Sequence, residues 1–104
     1  PGIIFQSEPN TDYFSNFWLT AITIDPQKTG MTRENVRLKL LAENIESRPL
    51  WKPMHLQPVF KDAIYYGRGV SDELFTYGLC LPSGSNLTEY QLNRIQTALH
   101  NILD

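Results

Sequence analysis

Arg48-Pro49-Leu50-Trp51-Lys52-Pro53-Met54-His55-Leu56-Gln57-Pro58 brings an arginine, a tryptophan, a lysine and a histidine together among three prolines. Proline fixes φ and lowers the entropy lost on ordering, so such a loop can hold side chains ready for a ligand. Arg48 and Lys52 suit an anionic group such as a diphosphate or a carboxylate. Trp51 offers a flat face to a sugar or base, and His55 can donate or accept a hydrogen bond near neutral pH. A plainer role stays open: Trp and His over a sheet often only fill space, and Lys52 can be a solvated charge.

No other constellation carries as much. Gly67-Arg68-Gly69 is too short for a phosphate-binding fingerprint. His55 and His100 are far apart, and the lone Cys80 completes no metal-site spacing, so no metal is expected. Cys80 lies in the apolar run Leu79-Cys80-Leu81 and reads as a small buried hydrophobe rather than a nucleophile. Ser83-Gly84-Ser85 lacks the flanks of a nucleophile elbow and reads as a turn. No self-sufficient active site is expected.

The elements that must position the loop can be read from pattern. Residues 1–16 read as a loop-like leading segment, with Pro9, Asn10 and Asp12 as turn formers. Phe17 to Ile24 is a strand, apolar on both alternating faces and therefore central. Asp25-Pro26 ends it, and Gly30 closes a connecting turn. Thr32 caps a helix from Arg33 to about Ile45, with Leu38, Leu41, Ala42 and Ile45 as its core face, Leu40 at the margin, and Arg33 and Arg37 in solvent. Glu46 to Leu50 is a second strand, and Pro49 places it at an edge. Residues 51–69 form a long irregular loop of the kind that is often functional. Ser71 caps a short helix through Tyr77, with Gly78 as its stop. Leu79 to Leu81 is a third strand ended by Pro82. Thr88-Glu89-Tyr90-Gln91 is a capping box opening a helix to about Leu103, with Leu92, Ile95, Leu99 and Ile102 inward. The fold class is an α/β (α+β) two-layer sandwich: a small sheet of about three strands covered by helices.

Composition narrows the partners. A 41% hydrophobic share with 12% aromatics belongs to a globular chain. Nine basic against eleven acidic residues leave no basic excess for nucleic acid. Apolar runs are only a few residues long, so no membrane span is expected. A single cysteine cannot form an internal disulfide, which fits a cytoplasmic setting. Pro1-Gly2 is not an initiator sequence and hints at a processed or excised piece.

Three blocks resemble the DegT/DnrJ/StrS sugar aminotransferases. The stretch from Asn44 to Phe60 is similar to that family's C-terminal motif. Ser15-Asn16-Phe17-Trp18-Leu19-Thr20 is similar to its opening strand, and Leu79 to Thr88 to the turn before its final helix. The resemblance implies residues 1–104 as the C-terminal small domain of a pyridoxal-phosphate-dependent enzyme, with the large cofactor-binding domain absent. It implies transfer of an amino group from glutamate to a keto sugar nucleotide in surface-glycan or amino-sugar synthesis, and a homodimer. Trp51, Lys52 and His55 would then contact the sugar nucleotide, with Arg48 less surely placed because it belongs to a strand. The family's Schiff-base lysine context is missing around Lys28, Lys39, Lys52 and Lys61, so the segment alone is expected to be inactive and not to bind the cofactor covalently. Two rivals remain: a free-standing α/β ligand-binding or regulatory module, which would present a polar docking surface, and a small enzyme using His55 in a closed pocket.

Overall fold

A computed structural model describes residues 1–103. Four strands, β1 (Ile3–Phe5), β2 (Thr20–Ile24), β3 (Arg48–Pro49) and β4 (Gly78–Leu81), form one antiparallel sheet in the order β1-β2-β4-β3. The helices are α1 (Pro26–Thr29), α2 (Arg33–Ala42), α3 (Val70–Tyr77) and α4 (Glu89–Leu103), with 3-10 turns at Met54–Leu56 and Pro58–Phe60. β2 is central and the proline-bearing β3 is an edge, as the sequence predicts.

Several expectations are corrected. The leading segment is not all loop: Ile3 to Phe5 pair with β2 as a fourth strand. β2 begins three residues late, because Phe17 takes a left-handed φ of 50°. Its N–H donates to Ser15 Oγ at 3.1 Å, and that of Trp18 to Asn16 Oδ1 at 3.1 Å. Short polar side chains there compete for the backbone groups that a strand would use. Third, the connection after β2 is a short helix, with Asp25 Oδ1 accepting from the Gln27 N–H and Gly30 closing it at φ 70°.

The fourth correction concerns the buried face of α2. Val36 and Leu40 are the wholly buried pair, while Leu38 and Leu41 stay about half exposed. Arg33 and Arg37 lie half-buried beside that pair, with the Arg33 guanidinium 4.6 Å above the Phe75 ring. Two apolar stripes compete on this helix, and the shorter one wins because it faces the sheet. Ile45 does reach the core, but from outside the helix. Asn44 turns left-handed at φ 55°, the Ile45 N–H donates to Leu40 O at 2.9 Å, and the Asn44 N–H to Leu41 O at 2.9 Å. This Schellman closure folds Ile45 back against Leu40.

Alternation along the strands sorts the sheet into two faces. Ile22 and Ile24 of β2 and Leu79 and Leu81 of β4 meet Val36, Leu40, Ile45 and Ile102 in one core. Ile95 and Leu99 flank it, whereas Leu92 remains 46% exposed and does not join it as predicted. The predicted box opens α4: the Gln91 N–H donates to Thr88 Oγ1, and Gln91 Oε1 accepts from the Thr88 N–H. On the other face α3 packs against β2 and β4. Gly78 stops that helix and starts β4, and a Cβ there would meet Leu50 Cδ1 at 2.2 Å.

Candidate functional site

β3 delivers the chain to the loop: Arg48 and Pro49 pair with β4, and the Leu50 N–H donates to Gly78 O at 3.3 Å. Pro53 is buried and anchors the turn Met54–Leu56, which projects His55 toward the start of α3. His55 Nε2 lies 2.9 Å from Asp72 Oδ1 in the first turn of α3. One ring face stacks on Tyr65, with centroids 3.8 Å apart and planes at 22°. Only 18% of the His55 side chain stays exposed.

Trp51 is held differently. It is 68% exposed and lies 6.4 Å from Trp18, the planes tilted by 37°. Beside it an open groove of about 530 Å³ runs between the sheet and α3, lined by Ile4, Phe5, Ala21, Leu50 and Leu74. Ser71, which lies in the first turn of α3 and is not its cap as predicted (Gly69 takes the N-cap position, with no side-chain cap bond), borders this groove. One helix end therefore touches both the Trp51 groove and the His55 clasp. Lys52 is exposed, and its carbonyl accepts from Gln57 Nε2 at 3.3 Å.

Arg48 is engaged elsewhere. Its Nη2 and Nε both reach Glu46 Oε1, at 2.6 and 2.8 Å, in a pair mostly in solvent. Such an exposed pair fixes little. The structure thus gathers Trp51 and His55 around one helix end, while Arg48 turns to its own neighbour. Trp18, Tyr65 and Asp72 join the site without having been singled out in the sequence. Trp18 adjoins Trp51 only through the β2–β4–β3 pairing, Asp72 lies beyond the loop, and Tyr65, though in the same loop as His55, is at no regular spacing from it, so no local pattern announces them.

The remaining reactive groups are quiet. Cys80 is buried, and burial pushes its thiol above the ordinary value, which disfavours the nucleophilic thiolate. Among the described residues no cluster of His, Cys, Asp and Glu can hold a metal, and no helix is long and apolar enough to cross a membrane. Lys28, Lys39, Lys52 and Lys61 are all exposed, and Lys28 pairs with Asp25 at 3.5 Å. None is the desolvated amine that a Schiff base requires, so the residues of this chain do not fit a covalent pyridoxal phosphate site.

Comparison with known proteins identifies the family. EpsN of Bacillus subtilis (strain 168), a candidate pyridoxal phosphate-dependent aminotransferase, is 46% identical over 91 residues, covering 83% of this chain and 23% of that protein. GDP-perosamine synthase of Caulobacter vibrioides is 31% identical over 87 residues, 84% of this chain and 23% of its own length. DesV of S. venezuelae, solved with a ketimine intermediate, superimposes with a TM-score of 0.79 at 22% identity, covering all of this chain and 27% of its own. The chain thus spans about a quarter of the relatives it matches. The profile of the DegT/DnrJ/EryC1/StrS aminotransferase family matches residues 2–100, and the chain belongs to that family.

Proposed function

We propose that this chain is the C-terminal small domain of a pyridoxal-phosphate-dependent sugar-nucleotide aminotransferase, and that its 51–69 loop forms the sugar side of the pocket. Trp51 would stack on the sugar or base, His55 would hydrogen-bond it, and Lys52 would meet the diphosphate, with Arg48 at the margin. The observation that carries this reading is the half-finished character of the molecule. A clasped histidine and an exposed tryptophan pair flank a groove open to solvent, in a chain about a quarter as long as its relatives. Ile4, Phe5, Trp18, Ile64 and Tyr66 are each 60% or more exposed. Large apolar residues left so bare mark an interface, and the rest of the aminotransferase is its natural cover. A free-standing module would present a polar surface there, which tells against that rival.

The whole protein would move an amino group from glutamate to a keto sugar nucleotide, as a homodimer in the cytoplasm. The name GDP-perosamine synthase supports the substrate class. Pyridoxal phosphate, held by the larger part, supplies the electron sink for that chemistry. This chain's residues would bind and orient the sugar and exclude water from it.

The test separates the two half-reactions in the complete protein. Trp51→Ala or His55→Ala should raise KM for the sugar nucleotide about tenfold, the effect of losing roughly 1.4 kcal/mol of binding. The glutamate half-reaction should stay near its parental rate. Equal damage to both halves would remove the loop from the sugar side. A borohydride-stable pyridoxal adduct at one lysine of the 104-residue chain would remove the small-domain reading itself.

A further inference from the structure

We infer that Asp72 is a positioning residue that fixes the His55 ring and leaves Nδ1 as its unengaged nitrogen, an acceptor for a hydroxyl or N–H group. This rests on the reading of the 51–69 loop as the sugar side of the pocket.

The geometry supplies the steps. An ionised carboxylate only accepts hydrogen bonds, so at 2.9 Å from Asp72 Oδ1 the proton must sit on Nε2. In the neutral ring Nδ1 then carries the lone pair. Among the described residues Nδ1 has no hydrogen-bond partner. Tyr65 covers a ring face at 3.8 Å, which holds the ring plane and leaves an edge for contact. Asp72 is itself well held. It occupies the first turn of α3, where the helix dipole favours an anion, and its carbonyl accepts from Thr76 Oγ1 at 2.7 Å.

The consequence is a statement about ligand chemistry. A ring presenting Nδ1 as acceptor selects a donor, such as a sugar hydroxyl or a base N–H. It does not select a phosphate or a carboxylate, which would require the protonated ring. Anion contact in this loop would then fall to Lys52, and His55 would report on the sugar or base.

Ring tautomers are read by long-range 1H–15N spectra of the labelled chain with the imidazole neutral. The parent should show Nδ1 in its unprotonated form alone. Asp72→Ala should raise the Nδ1–H population several-fold, and Asp72→Glu should restore the parental pattern; unchanged backbone dispersion would show that the variants fold. Identical ring spectra for parent and Asp72→Ala would overturn the inference, as would an Nδ1–H parent. In the complete enzyme, Asp72→Ala should raise KM for the keto sugar nucleotide several-fold while adding nothing to His55→Ala. Full additivity would also overturn it. If His55→Ala leaves KM unchanged while the spectra respond to Asp72→Ala, the clasp stands and it is the loop's ligand role that fails.

Discussion

On one face of the sheet Ile22, Ile24, Leu79 and Leu81 lie beneath α2 and α4, and Ile24, Val36, Leu40 and Leu79 are shielded from water altogether. On the other, beside α3, Ile4, Trp18 and Trp51 each keep about two-thirds of their surface in solvent. Both faces are built from the same two central strands. The closed face spends its apolar surface on its own helices and supplies the stability. The open face leaves its apolar surface for another body, and the candidate ligand residues gather along it. Stability and function are thus divided by which way a side chain points from β2 and β4.

The most forceful way to break the comparison is to hollow the closed face. Leu79→Ala removes a fully buried side chain and should cost about 2–5 kcal/mol, read as a lower denaturant midpoint. Trp18→Ser, on the open face, should cost less than about 1 kcal/mol in this chain although the lost side chain is larger. Equal costs would mean that the open face is covered in solution.

Next in size is the cap that holds α4 over the closed face. Thr88→Ala deletes the hydroxyl oxygen that accepts from the Gln91 N–H, keeps the backbone bond from Thr88 N–H to Gln91 Oε1, and should cost roughly 1 kcal/mol by thermal or chemical unfolding. Ser85→Ala, in the turn just before it, should stay within about 0.5 kcal/mol of the parent.

A smaller effect on stability, with a larger one on behaviour, comes from bare apolar side chains outside the core. The pair Phe5→Ser and Ile64→Ser replaces residues 60% and 80% exposed, so each should shift stability by no more than about 0.5 kcal/mol. Sedimentation should show less self-association than in the parent. An unchanged association state would mean that these side chains do not drive contact between copies.

The closed face was legible in the sequence wherever local pattern decides the outcome. The capping box at Thr88, the central place of β2 and the edge place of Pro49 follow from turn chemistry and alternation alone. What escaped depended on partners distant in the chain. β1 is three residues long and acquires strand character only by pairing with Thr23 and its neighbours. The choice between the Val36/Leu40 stripe and the Leu38/Leu41 stripe is made by where the sheet lies, which no helical periodicity contains. The loop was visible through its prolines, yet its organisation was not. Trp51 gains Trp18 across the sheet, and His55 gains Asp72 and Tyr65, each through tertiary contact.

The gentlest probe lies on the solvent side of α2, where Glu34 and Arg37 pair at 2.6 Å. The hydrogen bond from Arg37 holds the Glu34 carboxyl below its ordinary value, burial opposes this, and the Arg37 charge reinforces it. A carboxyl whose folded pKa is depressed stabilises the fold above the ordinary carboxylate range and loses that contribution as pH falls through the lowered value. Half of the Glu34 side chain is in water and Arg37 is only partly covered, so the contribution is small and salt screens it. Glu34→Gln should therefore unfold slightly earlier than the parent near neutral pH, match it in acid, and match it again at high salt. A deficit that grows on acidification would reverse the sign. It would mean that the closed face leans on this pair through burial rather than carrying it as a surface decoration.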